Sequence, residues 1–181
     1  MDRRVRKTRR ALRESLFSLI AERGWDGVNV QHVCERADVG RSTFYTHFAD
    51  REDLLLSGFD DLKIELRAGD PRPLGWVRGL LEHVAQNRRL ARLLTARRGA
   101  PPVRKRITRL VVALIEEDLA TLAPPSPTRS GAAHFLAGAL VDVILWRLED
   151  GTPLSEDELE ALFQRLSAPV LQVVQSPSDA A

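Results

Sequence analysis

Residues 29–48 read Asn-Val-Gln-His-Val-Cys-Glu-Arg-Ala-Asp-Val-Gly-Arg-Ser-Thr-Phe-Tyr-Thr-His-Phe, and their spacing decides the fold. Val30, Val33, Cys34 and Ala37 recur at i, i+3, i+4 and i+7, so a helix there carries its apolar atoms on one face. Asn29 stands just ahead of it, where a side-chain oxygen can accept a bond from a free N–H of the first turn. Asp38-Val39-Gly40 is too short for an ordinary loop, and Val39 is its one apolar residue, placed to plug the gap between two helices. The second helix buries Phe44 and Phe48 at i, i+4 and turns Arg41, Ser42, Thr43, Thr46 and His47 outward. Two short helices around a tight turn, with small polar and basic residues on the exposed start of the second, form the layout of a helix-turn-helix that reads DNA.

The chain on either side is also helical. Leu12, Leu16, Leu19 and Ile20 predict a helix from about Lys7 to Arg23, closed by Gly24 and preceded by a frayed basic arm over 1–6. Trp25 and Val28 close the small core. Asp50 can cap a fourth helix carrying Leu55, Phe59, Leu62 and Leu66. Gly69-Asp70-Pro71-Arg72-Pro73 interrupts the helices. Beyond it, apolar stripes predict helices over 76–87, 88–98 and 103–122, parted at Gly99-Ala100-Pro101-Pro102 and ending at the loop Pro124-Pro125-Ser126-Pro127. Residues 132–148 are apolar nearly all round, which predicts burial on more than one side. Ser155 with Glu158 opens a last helix as a capping box, presenting Leu159, Leu162, Phe163 and Leu166, with Val170 and Val173 beyond Pro169. The expectation is an all-α chain of about nine helices. A three-helix DNA-binding head covers 1–52, and a helical ligand-binding and dimerisation body covers 53–176.

Composition narrows the function classes. The chain has 181 residues, a hydrophobic content of 44% that can fill a core, and a net charge of only +2, so any nucleic-acid footprint is a local patch. Such a patch is visible: seven cations lie between Arg3 and Arg13, while Glu149, Asp150, Glu156, Asp157, Glu158 and Glu160 make the C-terminal part acidic. This polarity sets the N-terminal end against a polyanion. One cysteine forms no internal disulfide, the start of the chain is no apolar signal segment, and no apolar run is expected to reach the ~20 residues of a bilayer span. A cytoplasmic protein is the simplest reading. His32, His47, His83 and His134 do not fall at metal-ligand spacing, and no Gly-rich phosphate loop follows a strand, so neither catalysis nor a cofactor is expected.

Thr43-Phe44-Tyr45-Thr46-His47-Phe48 followed by Arg51-Glu52-Asp53-Leu54-Leu55 resembles the signature of the TetR family of transcriptional regulators. The likeness runs from about Thr8 to Leu62. Three positions depart from the family pattern: Asp38 for a turn glycine, Gly40 for a capping serine and Cys34 for alanine. Asp tolerates the left-handed region and Gly is an acceptable cap, so the fold survives, while Gly40 leaves out one hydroxyl contact to phosphate.

The resemblance implies a set of DNA contacts. The second helix lies in the major groove, with Arg41 on guanine or phosphate, Ser42 and Thr43 near base edges, and Thr46 among the outward DNA-binding residues. Asn29 and Gln31 serve from the first helix, and Tyr45, His47 and Arg51 hold phosphates. It also implies a homodimer through the last two helices, about 130–174, on a palindromic double-stranded operator, with a small-molecule effector in the body and repression as the habit. Trp76, His83, His134, Asp142 and Trp146, unusual in otherwise aliphatic helices, are the candidate ligand contacts, though each is equally at home as core filler or exposed edge. Cys34 reads as a small buried hydrophobe, with a thiol switch as the rival. The competing functions are an architectural helical DNA-binder without ligand control and an interaction module with a vestigial head.

Overall fold

The computed structural model describes residues 3–95, 101–149 and 153–176, with only the backbone of 101–103. Among them lie nine helices and no strand: α1 (Arg3–Arg23), α2 (Val30–Ala37), α3 (Arg41–His47), α4 (Arg51–Arg67), α5 (Val77–Gln86), α6 (Arg88–Thr95), α7 (Pro101–Ala120), α8 (Pro127–Glu149) and α9 (Glu156–Gln175). They form two compact units. One comprises residues 1–62 and 88–104, the other 63–87 and 105–181, so α4 starts in the first and ends in the second.

In the first unit Leu12, Leu16, Phe44 and Leu54 are fully buried and α1 packs on both α2 and α6. α1 stops where expected, because Gly24 takes φ +73°, a left-handed angle that a Cβ would strain even with open space around it. Its start differs from expectation. The frayed arm over 1–6 is helical from Arg3, and the Thr8 hydroxyl donates to the Arg4 carbonyl 3.1 Å away. No proline or glycine interrupts 3–23, so the helix has no local reason to begin at Lys7. α1 is then fastened to α2 by Arg36, whose guanidinium bonds both Glu22 carboxylate oxygens at 2.7 and 2.8 Å and the Ser18 hydroxyl at 2.9 Å.

The second unit is built on one buried carboxylate. Asp118 of α7 is 7% exposed. One of its oxygens accepts from the Leu74 N–H and the Trp76 indole N–H, each at 2.8 Å, and the other from Arg67 of α4 at 2.5 Å. Lys63 and Arg67 also pair with Glu117, so the distal end of α4 is clamped along α7. Leu74 sits at φ +61° with its side chain fully buried, an angle disfavoured for leucine and held here by the Asp118 bond and by packing. The capping box of α9 forms as expected from Ser155 and Glu158, and Arg147 of α8 bonds the Leu154 carbonyl and Glu156 across the α8–α9 connection.

Three expectations need correction here. The proline cluster is shorter as a loop than expected: Pro127 is the first residue of α8, where its missing N–H costs nothing, and the Ser126 hydroxyl accepts from the Arg129 N–H. Pro101 likewise opens α7, and α9 runs on through Pro169. The third correction concerns α8, which is buried on one side only. Leu136, Leu140, Ile144 and Leu148 face the core, while Phe135 (65% exposed) and Trp146 (42%) face outward. By length and composition α8 does reach a bilayer span, contrary to the sequence reading, but its apolar residues are divided between this core and the outer face.

The Asp118 cluster gives a first prediction. Asp118→Ala leaves the buried Leu74 and Trp76 N–H donors without an acceptor, while Arg67 keeps Glu117 and the Leu114 carbonyl, and should lower unfolding free energy by about 2–4 kcal/mol in urea titrations. Asp118→Asn should lose less, because its carbonyl still accepts. The Glu22 pair gives a second. The bond from Arg36, reinforced by Ser18, lowers the Glu22 pKa from its ordinary value to about 2. A carboxyl depressed by folding stabilises above its unfolded pKa and loses that contribution as pH falls toward the folded value. The difference in urea midpoint between the wild type and Glu22→Gln should therefore be constant above about pH 5 and shrink steadily from about pH 4.5 to 2.

Candidate nucleic-acid interface

The turn between α2 and α3 forms as its residues require. Asp38 adopts φ 53°, ψ 48°, the left-handed position for which a glycine was expected by resemblance, and the Val39 N–H closes on the Cys34 carbonyl at 3.0 Å. Val39 is half-buried, as a plug between the helices should be. Asn29 caps α2 by accepting from the His32 N–H at 2.9 Å, and the His32 ring nitrogen Nδ1 accepts weakly from the Asn29 N–H at 3.4 Å. His32 thus stands in the place a glutamate takes in a capping box, a role the sequence reading missed because histidine is outside the usual pattern.

α3 buries Phe44 and Phe48, which pack against each other with ring centroids 5.8 Å apart, and leaves Arg41, Ser42, Thr43, Tyr45 and Thr46 exposed. Tyr45 is 52% exposed and its ring rests edge-on against Phe44, so about half of the side chain, the hydroxyl end, is open to solvent. His47 is half-buried beside Phe48. The Thr46 hydroxyl donates back to the Ser42 carbonyl at 3.0 Å, which leaves its methyl and lone pairs for an incoming ligand. Gln31 is exposed and its amide donates to Glu35 at 2.9 Å, a bond that a base or phosphate would have to replace. Arg41 has no side-chain bond among the described residues and lies beside the open groove that Gln31, Glu35, Val39 and Gly40 also line. Cys34 is 4% exposed and burial pushes its thiol pKa up, the state of an inert small hydrophobe.

Arg51 is placed differently from what the resemblance implies. Its guanidinium lies 4.3 Å from the Trp25 ring centroid and donates to the Trp25 carbonyl at 2.8 Å and to the Val28 carbonyl. It straps the loop between α1 and α2 onto the start of α4, so any phosphate would meet a side chain already engaged. The five candidate ligand contacts do not face one cavity. Trp76 is 2% exposed and bonded to Asp118, His83 is half-buried on α5, and His134, Asp142 and Trp146 lie on the exposed outer face of α8. A surface groove of about 650 Å³ in the second unit is lined instead by polar and charged residues such as Arg78, Glu82, Gln86 and Asp157.

Gly40 caps α3 with no side-chain bond, and at φ −62° it needs no glycine. A Cβ there would meet only the Ser42 and Thr43 hydroxyls, at 3.8 and 3.9 Å. Gly40→Ser should therefore raise stability by about 0.5–1 kcal/mol, read as a higher thermal midpoint, through a capping bond and a stiffer unfolded chain.

Residues 13–57 match the model of the bacterial regulatory proteins of the tetR family, a region that holds α2, α3 and the α3–α4 connection. The uncharacterized HTH-type transcriptional regulator YxbF of Bacillus subtilis is 24% identical over 162 residues, which is 83% of this chain and 42% of YxbF, so the chain spans less than half of that relative. A TetR transcriptional regulator from Streptococcus agalactiae superposes with a TM-score of 0.68 at 24% identity, covering 92% of this chain and 96% of that one. RolR, solved in complex with resorcinol, superposes with a TM-score of 0.54 at 23% identity over 98% of this chain and 97% of its own. Residues 13–57 thus carry the region that the model of the tetR family of bacterial regulatory proteins describes, and the fold of the chain as a whole is similar to that of solved TetR-family regulators.

Proposed function

We propose that the chain is a cytoplasmic, sequence-specific DNA-binding repressor that binds a palindromic operator as a homodimer and is released by a small-molecule ligand. The observation that carries this reading is the exposed face of α3. Arg41, Ser42, Thr43 and Thr46 point to solvent from a helix whose other face is anchored by two buried phenylalanines, so four side chains with donors, acceptors or methyl groups are available to base edges. Tyr45 and His47 serve phosphates from the helix's C-terminal end, and Asn29 and Gln31 approach from α2. In this division of labour residues 1–52 read DNA and 53–176 pair and respond.

The homodimer reading is supported by the outer face of α8 and α9. Phe135, Trp146, Leu166 and Val173 are between 42% and 67% exposed, a density of large apolar side chains that a second copy would cover. Two-fold pairing through 130–174 would set two copies of α3 one helical turn of DNA apart, about 34–36 Å, as an inverted repeat requires. On this reading His134, Asp142 and Trp146 belong to the pairing face rather than to a ligand pocket. Effector control is supported by RolR's solved complex with resorcinol. An effector would act by binding better to the state that does not hold DNA.

Selection of bound sequences from random duplex DNA tests the proposal. The wild type should enrich an inverted repeat. Arg41→Ala should relax the preference at one symmetric position by about 1–3 kcal/mol, and Tyr45→Phe should weaken all sequences alike. Absence of any enriched sequence would defeat it.

A further inference from the structure

The helix-turn-helix itself carries no net charge. Between Asn29 and Phe48 the two cations, Arg36 and Arg41, are matched by Glu35 and Asp38, and Arg36 is already committed to Glu22. A duplex attracts proteins chiefly through its phosphates, and that attraction supplies nearly all sequence-independent affinity. The source must therefore lie elsewhere in the chain.

It lies on α1. Residues 3–13 hold seven cations and no carboxylate, and the helix extends through all of them. Their roles divide by helical position. Arg9 and Arg13 are used within the first unit, Arg9 stacking 4.7 Å from the Phe48 ring centroid and Arg13 pairing with Asp61. Arg3, Arg6, Lys7 and Arg10 recur at i, i+3, i+4 and i+7 and so share one face, and all four are exposed. Among the described residues, the one carboxylate paired with this stripe is Glu14, 2.7 Å from Arg10, with both side chains largely in solvent. Such a stripe works against its own helix, because like charges three and four residues apart repel and cations oppose the dipole at an N-terminus. It becomes favourable only when an external polyanion neutralises it.

The Arg9–Phe48 contact says where that polyanion would be. Phe48 caps the C-terminal end of α3, next to Tyr45 and His47. At about 1.5 Å per residue, Arg3 lies about 9 Å along α1 from Arg9, little more than the spacing of neighbouring phosphates on a strand. We propose that Arg3, Arg6, Lys7 and Arg10 form a second contact with the DNA backbone, continuous with the phosphate-facing end of α3, and that this contact, not the helix-turn-helix pair, supplies most of the salt-dependent affinity. The inference rests on the DNA-binding reading above and adds to it the element that provides the attraction.

Another basic run offers the control. Residues 88–109 hold nine cations and no carboxylate, and Arg89, Lys105 and Arg109 are exposed there. Affinity for the selected operator and for an unrelated duplex is measured on the full chain from 50 to 200 mM salt. Three proteins are compared: the wild type, Arg3→Ala/Arg6→Ala/Lys7→Ala, and the charge-matched Arg89→Ala/Lys105→Ala/Arg109→Ala. The α1 variant should lose about 0.9 of slope in log affinity against log salt per lost contact, about 2.7 per protomer, on both duplexes, with its enriched sequence unchanged. The control should keep the wild-type slope. An unchanged slope in the α1 variant overturns the proposal, and so does an equal fall in the control, which would make the attraction a property of overall charge. A wild type with no affinity for any duplex would instead defeat the DNA-binding reading itself.

Discussion

A seven-residue helix has no stability of its own in water, and α3 is that short. Whatever it presents to a groove therefore depends on the burial of Phe44 and Phe48, two rings that hold the helix by one face and leave the other free. The surrounding bonds serve this constraint. Asp38 closes the turn in a left-handed conformation, Asn29 and His32 cap α2, Arg36 bolts α2 to α1, and Arg51 straps the preceding loop through two carbonyls and an indole face. Each removes a freedom that would otherwise blur the orientation of the exposed side chains. Rigidity of that kind is what direct readout needs, since a base-edge bond tolerates little displacement.

How much of this was legible in the sequence follows from what each feature depends on. The helices and the turn were, because apolar periodicity and the Asp38-Val39-Gly40 break are local properties. Exposure of Arg41, Ser42, Thr43 and Thr46 followed from the same periodicity. The internal use of Arg51 did not, because its partners are backbone carbonyls 23 and 26 residues away and carbonyls leave no trace in a sequence. Asp118 was invisible for a related reason: in α7 it reads as one acid after Glu116 and Glu117, and only the tertiary fold brings Leu74 and Trp76 to it. Trp76 was singled out for its rarity, and rarity alone does not separate a ligand contact from a core indole that needs an acceptor.

The second unit shows the opposite economy. Its core is mostly aliphatic around Trp76 and Phe163, and among the described residues its one buried acid, Asp118, is engaged by three donors, so the cluster fixes the end of α4 and the Leu74 turn against α7. An element held this way has few intermediate positions. Any change that lengthens one of these bonds leaves a buried donor short of its acceptor, so the end of α4 is held firmly along α7.

Charge and shape are also separated along the chain. The segment shaped to discriminate bases is electrically neutral, whereas the cations that would draw in a duplex sit on a helix face with no base-reading geometry. The separation has a physical advantage. Cations concentrated on the reading helix would bind every phosphate strongly and raise non-specific affinity at the positions where discrimination is made. With most of the attraction placed on α1 as proposed, α3 brings one cation, Arg41, and otherwise hydrogen bonds and methyl contacts that succeed or fail with the base pair. Selectivity and grip can then be adjusted by different residues without either undoing the other.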